Sequence, residues 1–132
     1  FSDWLAICAV KAAYCRLLDT KDWDGWAKLF TEDCMIDTTG SGGIVTTGRE
    51  AFVASVRQSL EGTKTAHQVH SPEIVIDGDT ARAVWAMQDR VIWAERGLTG
   101  YGHYHERYVR EADGWKIAEQ KLTRLILEID GA

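Results

Sequence analysis

Residues 65–94, TAHQVHSPEIVIDGDTARAVWAMQDRVIWA, decide the fold. Two runs rich in β-branched and aromatic residues, Thr65 to Asp77 and Ala81 to Ala94, flank Asp77-Gly78-Asp79, the pattern of an antiparallel hairpin. Alternation along the second run sorts its side chains. Ala81, Ala83, Trp85, Met87, Asp89, Val91 and Trp93 share one face, and Arg82, Gln88 and Arg90 share the other. Asp89 is thus a lone charge on a mostly apolar face.

Working outward, Gly100 to Glu111 and Trp115 to Ile129 read as two further long strands, set off by Arg96-Gly97 and Asp113-Gly114 turns. On the first of these, Tyr101, His103 and His105 share a face, with Tyr104, Glu106 and Tyr108 opposite. Upstream, helical patterns cover Ser2 to Leu18 and Asp22 to Phe30, and short strands cover Cys34 to Asp37 and Ile44 to Thr46. Thr47 with Glu50 forms a capping box ahead of a helix at Ala51 to Leu60, which Gly62 stops. Helices followed by an antiparallel meander predict an α+β domain: a cone in which a curved, mostly antiparallel sheet wraps a helix and encloses a ligand-sized cavity.

The 132 residues make one domain, 1–132, large enough to bury about two thirds of the unfolded surface. The net charge of −5, with both signs interspersed, offers no basic face, so no nucleic-acid partner is expected. No apolar run reaches the roughly 20 residues that span a bilayer, and no membrane partner is expected. Cys8, Cys15 and Cys34 lack metal-type spacing and read as reduced core thiols, which points to a cytoplasmic protein. The chain begins at Phe1, so its true start is expected to precede the numbering.

Leu5, Cys8, Ala12, Cys15 and Asp19 fall on one stripe of the first helix. A carboxylate on a core-facing stripe needs a hydrogen-bond donor, a cation or a proton. The competing reading is that Asp19 lies just past the helix and caps the next one, alongside Thr20 and Asp22.

Leu18-Asp19-Thr20-Lys21-Asp22-Trp23-Asp24, Phe30-Thr31-Glu32-Asp33-Cys34, Thr65-Ala66-His67 and Asp113-Gly114-Trp115-Lys116 resemble the SnoaL-like branch of the NTF2-like superfamily of cone-shaped α+β barrels. The resemblance is strongest to its scytalone dehydratase, bile-acid 7α-dehydratase and hexachlorocyclohexane dehydrochlorinase members. It implies an aspartate–histidine dyad at Asp19 and His67, with no cofactor. The chemistry suits such a pair: a neutral imidazole accepts a proton near neutral pH, and an ionised carboxylate on its other nitrogen fixes the tautomer and stabilises the imidazolium. By the same resemblance Tyr14 becomes a candidate hydrogen-bond donor and Asp89 a candidate pocket acid. Departures from the family pattern are also present. Leu18 and Thr38 stand where scytalone dehydratase carries tyrosines, His103 and His105 stand near its ligand positions, and only Lys121 or Arg124 could supply the basic residue of the last strand.

The expectation is a cofactor-independent dehydratase acting on a hydrophobic cyclic or polycyclic alcohol. Trp85, with Met87, Val91 and Trp93, would hold the ring system, while Tyr14, Asp89, His103 and His105 would orient its oxygens. Three alternatives remain: an isomerase or polyketide-type cyclase on the same scaffold, a non-catalytic small-molecule-binding module, and a zinc site at His67, His103 and His105 with one open position. The open sheet face and the trimers of the resembling dehydratases imply a homo-oligomer, trimer before dimer.

Overall fold

A computed structural model describes residues 1–131. Three helices come first or between short strands: α1 (Ser2–Asp19), α2 (Trp23–Ala27) and α3 (Arg49–Leu60). Six strands follow the order β1 (Phe30–Asp37), β2 (Val45–Thr47), β3 (Lys64–Asp77), β4 (Thr80–Ile92), β5 (Arg96–Glu111) and β6 (Gly114–Gly131). They form one curved, unclosed sheet in the order β2-β1-β6-β5-β4-β3. Every neighbouring pair is antiparallel except β1 with β6, which run parallel. This is the expected cone-shaped α+β architecture, with the helices packed into the concave side.

The expected hairpin of residues 65–94 forms, with Asp77 opposite Thr80, and a register shift between His70 and Glu73 brings His67 opposite Asp89. The odd-numbered face of β4 is the buried one, from Ala81 to Val91. Burial of this face against α1, α2 and α3 builds an aromatic core in which Tyr14, Trp26, Phe30 and Phe52 pack ring against ring.

Several expectations are corrected. The buried stripe of α1 is Ile7, Lys11, Tyr14, Cys15 and Leu18, whereas Leu5 is 49% exposed and Ala12 is also exposed. The displaced stripe has a physical cause. Lys11 sits in the middle of the true one, where its ammonium meets the Glu106 carboxylate at 2.7 Å, and a lysine there conceals the apolar period. Helix α2 ends at Ala27, and β1 begins at Phe30, earlier than predicted. The capping box before α3 does not form, because Gly48 occupies the N-cap with φ +99° and no side chain caps it. Arg96-Gly97 is not a turn. It already belongs to β5, and the reversal is closed by the Trp93 N–H donating to the Arg96 carbonyl.

Candidate active site

Helix α1 stops directly after Asp19, which leaves its carboxylate at the inner end of the helix, beside the start of β3. Asp22, not Asp19, caps the next helix, its Oδ1 accepting from the Gly25 N–H at 3.0 Å. Asp19 instead turns to β3. Its Oδ1 lies 2.7 Å from His67 Nδ1 and accepts from the Thr65 hydroxyl at 2.9 Å, while Oδ2 accepts from the His67 backbone N–H at 2.8 Å. Thr65 and His67 reach the same carboxylate because residues two apart on a strand share a face.

Burial pushes the Asp19 carboxyl up, but the hydrogen bonds from the His67 ring, the His67 backbone and the Thr65 hydroxyl outweigh it and hold it below its ordinary value. An ionised carboxylate only accepts, so it places the proton on Nδ1 and leaves Nε2 of the neutral ring as a free base. Nε2 lies 3.9 Å from Asp89 Oδ2, beyond hydrogen-bond reach.

Asp89 is occupied elsewhere. Arg124 of β6 grips it with two bonds, Nη1 to Oδ1 at 2.6 Å and Nη2 to Oδ2 at 3.0 Å, and the guanidinium also donates to the Ser41 hydroxyl. Gly100 of β5 makes this pair fit. A Cβ there would strike Arg124 Nη1 and stand 2.6 Å from Asp89 Oδ1. His67, Asp89 and Arg124 line a cavity of about 340 Å³, whose other walls include Phe52, Val56, Leu60, Val91, Trp93 and Leu122. Aspartate and histidine therefore meet at one wall, a fixed cation stands at another, and the intervening space is mostly apolar.

The SnoaL-like domain family matches residues 1–121. The chain belongs to the SnoaL-like family. This SnoaL-like domain is similar to "Probable cyclase FGR4" of Gibberella zeae, 26% identical over 129 residues that span 87% of this chain and 86% of that protein. Among solved structures it is similar to a protein of Novosphingobium aromaticivorans described as a candidate scytalone dehydratase, at TM-score 0.84 and 20% identity, covering 96% and 87% of the two chains. It is also similar to a type 2 hexachlorocyclohexane dehydrochlorinase, LinA, at TM-score 0.85 and 12% identity, covering 99% and 90%. At these identities the structural likenesses establish the fold.

The remaining residues singled out from the sequence are distributed differently across the SnoaL-like domain. Tyr14 and Trp85 face inward but do not line the cavity. Tyr14 donates to Gln120 Oε1 at 3.2 Å within a sealed polar cluster, and Trp85 is 3% exposed among core residues. His103 and His105 are on the wrong side of the sheet for the site. From Gly100 to Tyr108 the buried residues of β5 are Gly100, Gly102, Tyr104, Glu106 and Tyr108, so both imidazoles point outward, and His105 Nε2 meets Thr123 Oγ1 at 3.0 Å. The outward face has its own depression of about 380 Å³, which His105 lines and neither His67 nor Asp89 reaches. The three histidines proposed for zinc are therefore not brought together, and among the described residues no cluster of three or more His, Cys, Asp or Glu is placed to hold a metal. Arg124 is the principal residue that the strand pattern did not place. Two register shifts in the β5–β6 ladder, near Tyr108 and near Tyr101, change which residues of β6 face inward.

Proposed function

We propose that this SnoaL-like domain is a cofactor-independent lyase of the dehydratase type, acting on a hydrophobic cyclic or polycyclic alcohol by an Asp19–His67 dyad. The observation that carries the reading is the free Nε2 of His67 at the cavity wall, with its other nitrogen held by Asp19. His67 takes a proton from the carbon next to an activating carbonyl or aromatic system, and Asp19 stabilises the imidazolium that results. Arg124, already charged and fixed by Asp89, stabilises the oxygen on which negative charge develops. Water then leaves, taking back the proton that His67 holds. Phe52, Leu60, Val91 and Leu122 exclude solvent around the rings of the substrate.

A cyclase is the second reading, favoured by the similarity to the Gibberella zeae protein. It begins with the same proton abstraction and differs in the fate of the carbanion, which adds to a second carbonyl instead of expelling hydroxide. A screen of cyclic β-hydroxy ketones and of poly-carbonyl substrates separates the two by product mass, since only elimination loses water. On whichever substrate turns over, His67→Gln is expected to lower the rate by roughly 10² to 10⁴ with the fold intact. Activity is expected to fall on acidification, because a protonated ring cannot accept the proton. A folded His67→Gln protein with near-normal turnover ends the dyad reading.

The protein is also proposed to be a homo-oligomer, trimer before dimer. Met35, Val75, Tyr101 and Ile126 stand exposed on the outer side of the sheet, and a second copy would cover them. A monomeric mass by sedimentation would rule this out. Among the described residues no helix is long and apolar enough to cross a membrane, and the domain is proposed to work in the cytoplasm.

A further inference from the structure

Lysine 21 occupies a backbone position that a glycine would fill more cheaply. Helix α1 closes with the Lys21 N–H bonded to the Leu18 carbonyl and the Asp22 N–H bonded to the Leu17 carbonyl, the paired bonds of a Schellman cap. The residue just past such a helix end adopts the left-handed conformation, and here it is Lys21, at φ +62°. A β-carbon is disfavoured in that region, which is why glycine predominates there. Ser71 is the other non-glycine residue at positive φ among the described residues, and it lies on an exposed part of β3 away from the cavity. Backbone strain of this kind persists where the surrounding structure holds it, and it is often found beside functional sites.

The side chain of Lys21 reaches the dyad. Nζ donates to the Thr65 hydroxyl oxygen at 2.8 Å and approaches the Asp19 carbonyl at 3.4 Å. Thr65 has one hydroxyl proton, and an ammonium only donates. The lone pair of Thr65 therefore goes to Lys21, and the proton is directed to Asp19 Oδ1, 2.9 Å away. Asp19 Oδ1 is also the atom facing His67 Nδ1. The sequence of contacts runs from ammonium to hydroxyl to carboxylate to imidazole, and each link orients the next.

We infer that Lys21 is a positioning residue for the dyad, fixing the Thr65 hydroxyl so that Asp19 stays ionised and in line with the His67 ring. The inference rests on the dyad reading above and extends it to a residue that touches neither the ring nor the cavity. The other titratable groups facing this chain of contacts are Cys15, one turn before Asp19, Glu61, at the end of α3, and Asp89, whose Oδ2 lies 3.9 Å from His67 Nε2. Burial pushes the Cys15 thiol up to about 11, which keeps it neutral, and Glu61 accepts from the Trp23 indole at 2.5 Å. Burial lowers the Lys21 ammonium from its ordinary value while the Asp19 and Glu61 carboxylates oppose that change.

Two substitutions separate positioning from mere stabilisation. Lys21→Gly removes the ammonium and relieves the backbone strain; Lys21→Met removes the ammonium and keeps the backbone preference. The ring Nδ1–H of His67, observed by NMR in protein with ¹⁵N-labelled histidine, reports the Asp19 hydrogen bond without any substrate. In the wild type it is expected as a protected resonance far downfield. Both variants are expected to exchange that proton at least tenfold faster, and Lys21→Gly is expected to do so with a thermal midpoint equal to or above that of the wild type. Turnover, once a substrate is known, is expected to fall about tenfold in both, equivalent to ~1.4 kcal/mol in the barrier. Wild-type exchange in Lys21→Gly and Lys21→Met overturns the inference and leaves the dyad standing, and a lowered midpoint with unchanged exchange assigns Lys21 to stability alone. Absence of the protected resonance from the wild type overturns the dyad and this inference together.

Discussion

Lys11–Glu106 and Asp89–Arg124 are both ion pairs inside the cone, yet only the second faces a cavity. The first is sealed, with both side chains at 0% exposure. Its lysine lies 3.5 Å and 3.7 Å from the ring centres of Tyr14 and Tyr104, and its carboxylate accepts from the Tyr108 hydroxyl and the Gln120 amide. Each of those charges is directed at another protein group, so little remains to recognise a ligand. Asp89 and Arg124 are nearly as buried, at 6% and 8%, but their open side is the space beside His67 Nε2. Depth alone therefore does not distinguish a structural charge from a working one; what matters is whether the charge borders a cavity.

The largest expected effect follows from removing one partner of the sealed pair. Lys11→Met strands Glu106 without a cation and is expected to cost about 3–5 kcal/mol in a denaturant titration. Turnover per folded molecule should change little. Lys11→Met combined with Glu106→Leu should recover much of that loss, since neither charge is then buried. Next in size is Arg124→Met. Cavity water can solvate the freed Asp89, so the expected loss of stability is about 1–3 kcal/mol, with a clear loss of activity. If chemical unfolding shows the two single variants equally destabilised and both fully active, the distinction between the pairs fails.

The smallest effect is on acid stability. The Asp19 carboxyl is lowered in the folded protein from its ordinary value of 3.8. Because the folded value lies below the unfolded one, this contribution is fully present above pH ~4 and is lost as the pH falls through the lower, folded value. Asp19→Asn should therefore flatten the acid limb of stability in that window. An acid limb identical to the wild type's would show that Asp19 contributes nothing to it.

These two charged regions also mark how far the sequence could be read. The hairpin at residues 65–94 was legible from the alternation along its second strand, which put Asp89 on the buried face, whereas the register shift between His70 and Glu73 that sets it opposite His67 was not. The local motif at Asp19 was legible as well, and the structure brings its carboxylate to the His67 ring. Lys11 and Glu106 were misleading for a single reason. Each is a charge on an interior face, neutralised by a partner 95 positions away that no local pattern reveals. The resemblance set His103 and His105 beside the ligand, whereas burial of Glu106 on the opposite face of β5 turns both outward. Arg124 was legible only as one of two candidates, with Lys121, since each register shift in the β5–β6 ladder changes the side from which its neighbours point.

Strand β6 is last among the strands in the chain but sits in the middle of the sheet, between β1 and β5. Its parallel partnership with β1 joins Phe30 to Ile117, 87 positions apart (117 − 30). The same strand delivers Gln120 to Glu106 and Arg124 to Asp89. Before it docks, β1 and β2 have no sheet partner in the β3–β5 meander, and Glu106 and Asp89 lack their hydrogen bonds from Gln120 and Arg124. Refolding should thus be limited by one distant closure, slow for a domain of this size and nearly all-or-none. The cavity would then exist only in molecules that have completed that final step, with no partly folded form able to hold a ligand.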